Sequence, residues 1–156
     1  MNYIKGDLLS VKRGIIIHGV NCQGVMGAGV AKAIRAKYPD VYTNYIRDID
    51  LYEDCLGTVS WCYLYVGQSE TRELAIASAF TQKYYGNDGE MYVSYDAIND
   101  CMDEIFDQAR KLDMVVSMPV IGAGLGGGDW SIIEAIILSN AKKNNYPIEN
   151  IAVYHL

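Results

Sequence analysis

The chain has 156 residues, of which 51% are hydrophobic and 21% are charged, and its formal net charge is −6. This length and composition predict one globular domain over residues 1–156 with a substantial core, and they exclude a disordered chain. The acidic balance argues against non-specific binding to duplex nucleic acid, which requires a basic surface, but it leaves room for an anionic small ligand held by backbone N–H groups.

Targeting segments and metal motifs are not visible in the sequence. No run of 18 apolar residues is present, and the first residues lack the apolar core of a signal peptide. The four cysteines (Cys22, Cys55, Cys62 and Cys101) form no CxxC pair, and only two histidines accompany them. We therefore expect reduced thiols, no bound metal, no cofactor, no membrane association and a cytoplasmic location.

Apolar runs separated by turn residues predict strands and helices that alternate along the chain. In chain order, the patterns predict strands over residues 1–9 and 14–20, a helix that Pro39 ends, a short helix over 41–47, strands over 58–66 and 73–81, a helix over 94–112, a strand over 114–121, a helix over 131–144 and a strand over 150–155. The segment Gly67-Gln68-Ser69 predicts a hairpin turn, Ser94 is a candidate helix cap, and Ser131 with Glu134 matches a capping box. The alternation predicts an α/β fold with a largely parallel or mixed sheet.

Two glycine-rich segments each follow an apolar strand, and each opens a helix. The first glycine loop is residues 21–29; the second glycine loop is residues 122–128 and holds five glycines in seven residues. In an open sheet both loops lie at the carboxyl edge, where ligands bind, and helix N-termini there favour phosphate. The alternative for the second loop is a mobile linker, but it lacks the mixture of Ser, Thr, Pro and Lys that is typical of linkers.

The second glycine loop also contains the pattern G-x-G-x-x-G over Gly122–Gly127. That pattern occurs in dinucleotide-binding folds, where it opens a βαβ unit with further strands after it. Here the residues beyond the loop suffice for one helix and one strand. No Gly-Lys-Ser/Thr follows, which excludes a P-loop. A phosphate-binding loop is therefore favoured over a dinucleotide fold.

Four segments together resemble the macro domain family, and within it the branch of ADP-ribose-1''-phosphate phosphatases and terminal ADP-ribose protein glycohydrolases. They are residues 3–8 (YIKGDL), 18–31 (HGVNCQGVMGAGVA), 117–125 (SMPVIGAGL) and 153–156 (VYHL). The resemblance implies a three-layer α/β/α fold with a mixed, mostly parallel central sheet. It also implies binding of ADP-ribose or ADP-ribose-1''-phosphate, or of an ADP-ribosylated macromolecule.

The same resemblance implies which residues bind the ligand. Asp7 matches the acid that accepts from the adenine amine, although a turn or helix cap is the alternative for a short carboxylate at this position. The first glycine loop matches the segment around the distal ribose, and the second matches the segment around the pyrophosphate. The implied ligand-binding residues are Asp7, Leu8, Gln23, Gly27, Ala28, Gly29, Val30, Ile121, Gly122, Ala123, Gly124, Leu125, Gly126 and Gly127.

For lysine-dependent glycohydrolysis, the resemblance places Gln82 where the family has its lysine, with Lys83 one residue beyond. The family's assisting acid falls on Gly126. Both departures count against that chemistry, although a shift of one residue would restore Lys83. The alternative for Lys83 is a solvated side chain in a loop.

For phosphatase chemistry, His18 matches a histidine implicated in that group, and an imidazole can donate a proton near neutral pH. The alternative is a packed, hydrogen-bonded core histidine. Asn21 can hydrogen-bond a ribose hydroxyl or a water, and Asp129 can activate water or cap the following helix.

These residues give three functional hypotheses. The leading one is binding of ADP-ribose and hydrolysis of an ADP-ribose derivative, above all removal of the 1''-phosphate. The second is de-ADP-ribosylation of a protein or nucleic acid through Lys83, and the third is a reader that binds ADP-ribose without reaction.

Overall fold

The structure, a computed structural model, describes residues 1–65, 72–86 and 88–156. The strands are β1 (Asn2–Lys5), β2 (Gly14–Asn21), β3 (Val59–Tyr65), β4 (Arg72–Gln82), β5 (Val116–Met118) and β6 (Ile151–His155). The helices are α1 (Gly29–Lys37), α2 (Pro39–Leu51), α3 (Tyr95–Leu112) and α4 (Trp130–Lys143). None of the helices in the described part of the chain is long and apolar enough to cross a membrane.

The strands form one six-stranded sheet in the order β1-β6-β5-β2-β4-β3. The pairs β1–β6, β6–β5, β5–β2 and β2–β4 are parallel, and β3 pairs antiparallel with β4. The predicted mixed, mostly parallel α/β sheet is confirmed, as is the pairing of the two middle strands. The predicted hairpin turn at Gly67–Ser69 lies outside the described residues.

Strand β2 is buried on both faces, which explains its unbroken apolar sequence. Because side chains alternate along a strand, Ile15 and Ile17 join the core beneath α3 and α4, whereas Ile16 joins the core beneath α1 and α2. All three isoleucines are fully buried. The sheet is therefore the middle of three layers, as expected, and the carboxyl end of β2 leads directly into the first glycine loop.

Two strands are shorter than the sequence predicts. Strand β5 ends at Met118 rather than near residue 121 because Pro119 has no N–H for the ladder. The N–H of Ile121 instead bonds the carbonyl of Pro119 at 2.7 Å in a tight turn. Strand β1 ends at Lys5 because Asp7 caps a short 3-10 helix over Leu8–Ser10.

The helix starts also depart from prediction in two places. Helix α2 covers Pro39–Leu51, longer than predicted, with Pro39 in its first turn, where a missing N–H costs nothing. The capping box at Ser131 is wrong: α4 begins at Trp130, and its N-cap is Asp129, whose carboxylate accepts from the Ser131 N–H at 2.9 Å. Ser94 caps α3 as predicted, accepting from Ala97 N–H at 3.2 Å.

Candidate functional site

A cavity of 690 Å³ opens at the carboxyl ends of β2, β4 and β5. Its walls are residues 18–21, 25 and 27–31 on one side, residues 119–122 and 124–126 on the other, and residues 81, 82, 85 and 86 at one end. None of these lining residues is Asp, Glu, Lys or Arg. A second cavity, of 380 Å³, lies at the opposite, amino edge of the sheet and contains none of the residues predicted for function.

The first glycine loop is shaped by the side chain of Asn21. The Asn21 Oδ1 accepts from the N–H groups of Gln23 at 3.0 Å and Val25 at 3.4 Å. Its Nδ2 donates to the carbonyl of Val25 at 2.8 Å. The amide is thus committed to folding the loop, and its predicted contact with a ribose hydroxyl or water would compete with these bonds.

The N-terminus of α1 faces the cleft without a side-chain cap. Its N-cap residue, Ala28, has no side-chain acceptor, and Gly29 follows in the left-handed region with φ of 58°. Residues 28–31 line the cleft. The first N–H groups of a helix have no intrahelical partner, so this end of α1 can donate to an anion.

The second glycine loop is fixed from behind and open towards the cleft. Its Gly126 carbonyl accepts from the N–H groups of Tyr92 at 2.8 Å and Val93 at 3.1 Å. Within the described residues, the N–H groups of Gly124, Leu125 and Gly126 donate to no acceptor, and all three residues line the cleft. Both walls of the cleft therefore present backbone donors, which is the arrangement that binds phosphate without formal charge.

His18 is a buried side chain of β2. It is 1% exposed, and its Nε2 is 2.6 Å from the Oγ of Ser78, its register partner on β4. Its Nδ1 has no partner among the described residues. Burial lowers the pKa of His18 to about 3, so the imidazole is neutral at physiological pH. This packing favours the core-histidine alternative, and a proton-donating role for His18 stays a proposal.

Lys83 and Asp129 do not line the cleft. Lys83 is exposed, and its Nζ lies 5.8 Å from the ring centroid of Tyr84. Asp129 is occupied as the cap of α4, and hydrogen bonds from Ser131 lower the pKa of its carboxyl. Both residues therefore lie next to the glycine loops along the chain or by a backbone hydrogen bond, but neither side chain is part of the cleft wall.

Asp7 also acts as a cap in this structure. Its Oδ1 accepts from the N–H of Leu9 at 2.9 Å, at the start of the 3-10 helix. Leu8 is buried beneath it. Gln23 accepts from the N–H of Tyr85 at 3.2 Å, which joins the first glycine loop to the segment after β4.

The cleft brings together most of the residues implied for ligand binding. Those that line it are Gly27, Ala28, Gly29, Val30, Ile121, Gly122, Gly124, Leu125 and Gly126. Those outside the lining are Asp7, Leu8, Gln23, Ala123 and Gly127.

Several cleft residues were not predicted. Pro119 and Val120 were assigned to a strand, although the missing N–H of Pro119 already marks a strand end. Gln82 and Tyr85 lie at the end of the cleft, and the Nε2 of Gln82 donates to the carbonyl of Tyr84 at 2.7 Å.

Tyr45 on α2 lies outside the cleft and contacts the first glycine loop from behind. The only signal for it in the sequence is a tyrosine at an apolar helical position.

Asp129 gives a direct test of capping against catalysis. Asp129→Asn keeps an oxygen for the Ser131 N–H but removes the base, so we expect unchanged turnover and little change in melting temperature. Asp129→Ala should lose about 1 kcal/mol of stability, the usual contribution of a cap. Thermal unfolding of both variants measures the change in stability, and hydrolysis of ADP-ribose-1''-phosphate by both variants measures the turnover. Loss of turnover in the stable Asp129→Asn variant would show that the carboxylate acts in the reaction.

Comparison with known proteins gives one family. The family model described as Macro domain matches residues 17–137. The match begins within β2, ends within α4 and includes both glycine loops.

Three relatives extend this match to nearly the whole chain. The 17.5 kDa protein of the tk-vs intergenic region of enterobacteria phage T4 is 31% identical, over 92% of this chain and 91% of that protein. An ADP-ribose 1''-phosphate phosphatase of Meyerozyma guilliermondii is 28% identical, over 88% of this chain and 91% of that protein. A DNA ADP-ribosyl glycohydrolase of Mycobacterium tuberculosis is 28% identical over 89% of this chain, which spans 38% of its length.

Solved structures agree on the fold. A protein of Bacteroides thetaiotaomicron is 28% identical with a TM-score of 0.81, covering 99% of this chain and 97% of that chain. The macrodomain of Mycobacterium tuberculosis DarG is 24% identical with a TM-score of 0.77, again covering 99% and 97%.

Proposed function

Because the chain belongs to the macro domain family, we propose that it binds ADP-ribose in the cleft between the two glycine loops and hydrolyses an ADP-ribose derivative. The leading reaction is removal of the 1''-phosphate from ADP-ribose-1''-phosphate. That activity is the one named for the Meyerozyma relative, whose length this chain nearly covers.

The observation that carries the proposal is the set of backbone donors on both walls that have no partner among the described residues. The second glycine loop offers the N–H groups of Gly124, Leu125 and Gly126, and the start of α1 offers those of residues 29–31. ADP-ribose carries a pyrophosphate, and ADP-ribose-1''-phosphate carries a further phosphate at the 1'' position. None of the described residues that line the cleft is Asp, Glu, Lys or Arg, so in this proposal the backbone N–H groups hold these anions.

Hydrolysis of the 1''-phosphate needs a water that attacks phosphorus while the bond from phosphorus to the anomeric oxygen breaks. In this proposal the loop N–H groups stabilise the charge on the phosphoryl oxygens. Gln82 lines the cleft, and its Oε1 accepts no hydrogen bond from a described residue, so it can orient the water. The neutral His18 is an unsuitable proton donor at pH 7, and the leaving oxygen takes its proton from solvent.

A reader of ADP-ribose is the second candidate, and a specific observation favours it. Three of the side chains predicted to be catalytic are poorly placed to react: His18 is buried and neutral, Asp129 caps α4, and Lys83 lies outside the cleft. A domain built in this way can bind ADP-ribose and leave it unchanged.

A substrate panel separates these functions. The panel is ADP-ribose-1''-phosphate, ADP-ribosylated protein and ADP-ribosylated DNA, with phosphate and free ADP-ribose as the measured products. We expect phosphate release from the first substrate. Release of ADP-ribose from DNA or protein, together with a borohydride-trapped adduct that disappears in Lys83→Ala, would instead support the glycohydrolase hypothesis. Binding of ADP-ribose without turnover of any substrate would support the reader hypothesis.

Asp7 provides the test of binding itself. Asp7→Asn keeps the cap of the 3-10 helix, because the amide oxygen can accept from Leu9 N–H. However, the NH₂ of the asparagine is a donor and would face the adenine amine, which is also a donor. We expect about tenfold weaker binding of ADP-ribose with an unchanged melting temperature, since a hydrogen bond to a charged group contributes about 1.5–3 kcal/mol. Titration calorimetry measures the affinity.

The matched ligand is the inosine analogue of ADP-ribose, which has an oxygen in place of the amine. The wild-type chain should prefer ADP-ribose over this analogue, and Asp7→Asn should lose that preference. Equal affinity of wild type and Asp7→Asn for ADP-ribose would remove Asp7 from the adenine site. No binding by the wild-type chain at millimolar ADP-ribose would overturn the proposed function.

A further inference from the structure

Tyr45 is a buried tyrosine whose hydroxyl forms hydrogen bonds to the first glycine loop. It lies on α2, is fully buried, and stacks on Phe80 with ring centroids 5.5 Å apart. The surrounding cluster is apolar, and a buried hydroxyl there is unfavourable unless it is hydrogen-bonded. Every hydrogen bond that the structure gives this hydroxyl goes to the first glycine loop.

The hydroxyl of Tyr45 joins two points of that loop. It donates towards the carbonyl of Asn21 at 2.7 Å and the Oδ1 of Asn21 at 2.8 Å, and it accepts from the N–H of Gly24 at 3.1 Å. Because the same Oδ1 accepts from the N–H of Gln23, the tyrosine also fixes the side chain that folds the loop.

Tyr42 lies one turn before Tyr45 on the same face of α2. It also bonds the first glycine loop, at the carbonyl of Gly24. Its hydroxyl donates to the carbonyl of Gly24 at 3.0 Å. The guanidinium of Arg35 lies 3.6 Å from the centroid of the Tyr42 ring, which fixes that ring on α1. Gly24 is therefore bonded at both its N–H and its carbonyl, in a left-handed conformation with φ of 79°.

Neither tyrosine lines the cleft, whereas the opposite side of the loop does. A loop with glycines at 24, 27 and 29 has high conformational entropy, and any ligand that ordered it would lose affinity. We propose that Tyr45, supported by Tyr42, is a positioning residue that holds the first glycine loop ready for the distal ribose of the ligand. The proposal rests on the proposed function, because the loop is assigned to that ribose.

Substitution by phenylalanine tests the proposal, since it removes only the hydroxyl. Tyr146→Phe is the matched control: Tyr146 is also buried, its hydroxyl donates to the carbonyl of Met114 at 2.6 Å, and it lies in the other core cluster. We expect Tyr45→Phe to weaken ADP-ribose binding about tenfold and Tyr42→Phe to weaken it less, since Tyr45 loses more bonds. Tyr146→Phe should lower the melting temperature without changing affinity.

The readout that separates positioning from general destabilisation is ligand-selective. AMP lacks the distal ribose, so Tyr45→Phe should bind AMP as the wild type does while it loses affinity for ADP-ribose. Amide hydrogen exchange over residues 21–28 should also be faster in Tyr45→Phe than in Tyr146→Phe.

Equal losses for AMP and ADP-ribose, or unchanged ADP-ribose affinity in Tyr45→Phe, would overturn the proposal. Unchanged exchange in the loop would overturn it as well. Absence of ADP-ribose binding by the wild type would instead overturn the proposed function, and the exchange rates would still show whether Tyr45 holds the loop.

Discussion

Replacing Gly126 by alanine is expected to weaken ADP-ribose binding and to destabilise the fold. A Cβ at this position would lie 2.9 Å from the carbonyl oxygen of Gly122 and 3.1 Å from the Oε1 of Gln82. The first contact is with backbone, which cannot rotate away, so the loop itself must shift. The Gly126 carbonyl also accepts from Tyr92 and Val93, and a shift would break those bonds.

The expected size follows from these contacts. Overpacking of this kind costs about 1–3 kcal/mol of stability. Because the displaced N–H groups are the proposed phosphate donors, we expect the affinity for ADP-ribose to fall by at least about tenfold, which corresponds to about 1.4 kcal/mol. Urea unfolding gives the first quantity and titration calorimetry gives the second.

Gly124→Ala is the matched control in the same loop. A Cβ at Gly124 meets no atom of the described residues within 4 Å, so the free energy of unfolding of Gly124→Ala should stay within about 0.5 kcal/mol of wild type. If Gly126→Ala were as stable as Gly124→Ala and bound ADP-ribose at wild-type affinity, the second glycine loop would not be the anion site.

The alternation of strands and helices along the chain and the layering of the fold could be predicted from local patterns, whereas the strand order within the sheet was not predicted. Strand β2 is apolar on both faces, which requires helices on both sides of the sheet. The stripe of α3, from Ile98 to Phe106, is wholly buried. Boundaries were harder, since the end of β5 depends on one missing N–H at Pro119 and the start of α4 on a choice between two neighbouring caps.

The candidate site could be predicted where the backbone forms it and not where side chains reach it through the fold. The two glycine loops follow their strands directly, so parallel pairing alone brings them to one edge. Tyr45 reaches the first loop from 24 residues away, and no local pattern encodes that contact. The hydrogen bond of the buried His18 likewise comes from a distant residue, Ser78 of the neighbouring strand.

The burial of His18 gives a pH prediction with a defined sign. In the folded chain the pKa of His18 is lowered to about 3 from its ordinary value of 6.5, and desolvation of the charged imidazolium is the cause. Below pH 6.5 the unfolded chain therefore binds a proton that the folded chain does not. The free energy of unfolding should fall as the pH is lowered from 6.5, by about 1.4 kcal/mol per pH unit from this group once well below 6.5.

Between pH 6.5 and pH 4.5, this group alone should remove about 2 kcal/mol from the free energy of unfolding. Carboxylates also titrate in this range, so the quantity to measure is a difference between variants. His18→Gln, which cannot be protonated, should show a shallower fall than wild type in urea unfolding at each pH. His155→Gln is the matched control for the loss of an imidazole, because His155 is exposed at the end of β6.

The folded chain can be tested without altering His18. In the His155→Gln variant His18 is the sole histidine, and its imidazole resonances should show no titration between pH 5 and pH 8. A proton donor for phosphate release must be protonated near the working pH. This result would therefore predict that the pH profile of kcat/KM shows no ionisation of His18. A titration near pH 6.5 in the folded chain would contradict the desolvation argument and restore His18 as the proton donor. The same resonances recorded with ADP-ribose bound would show whether the ligand changes that protonation state.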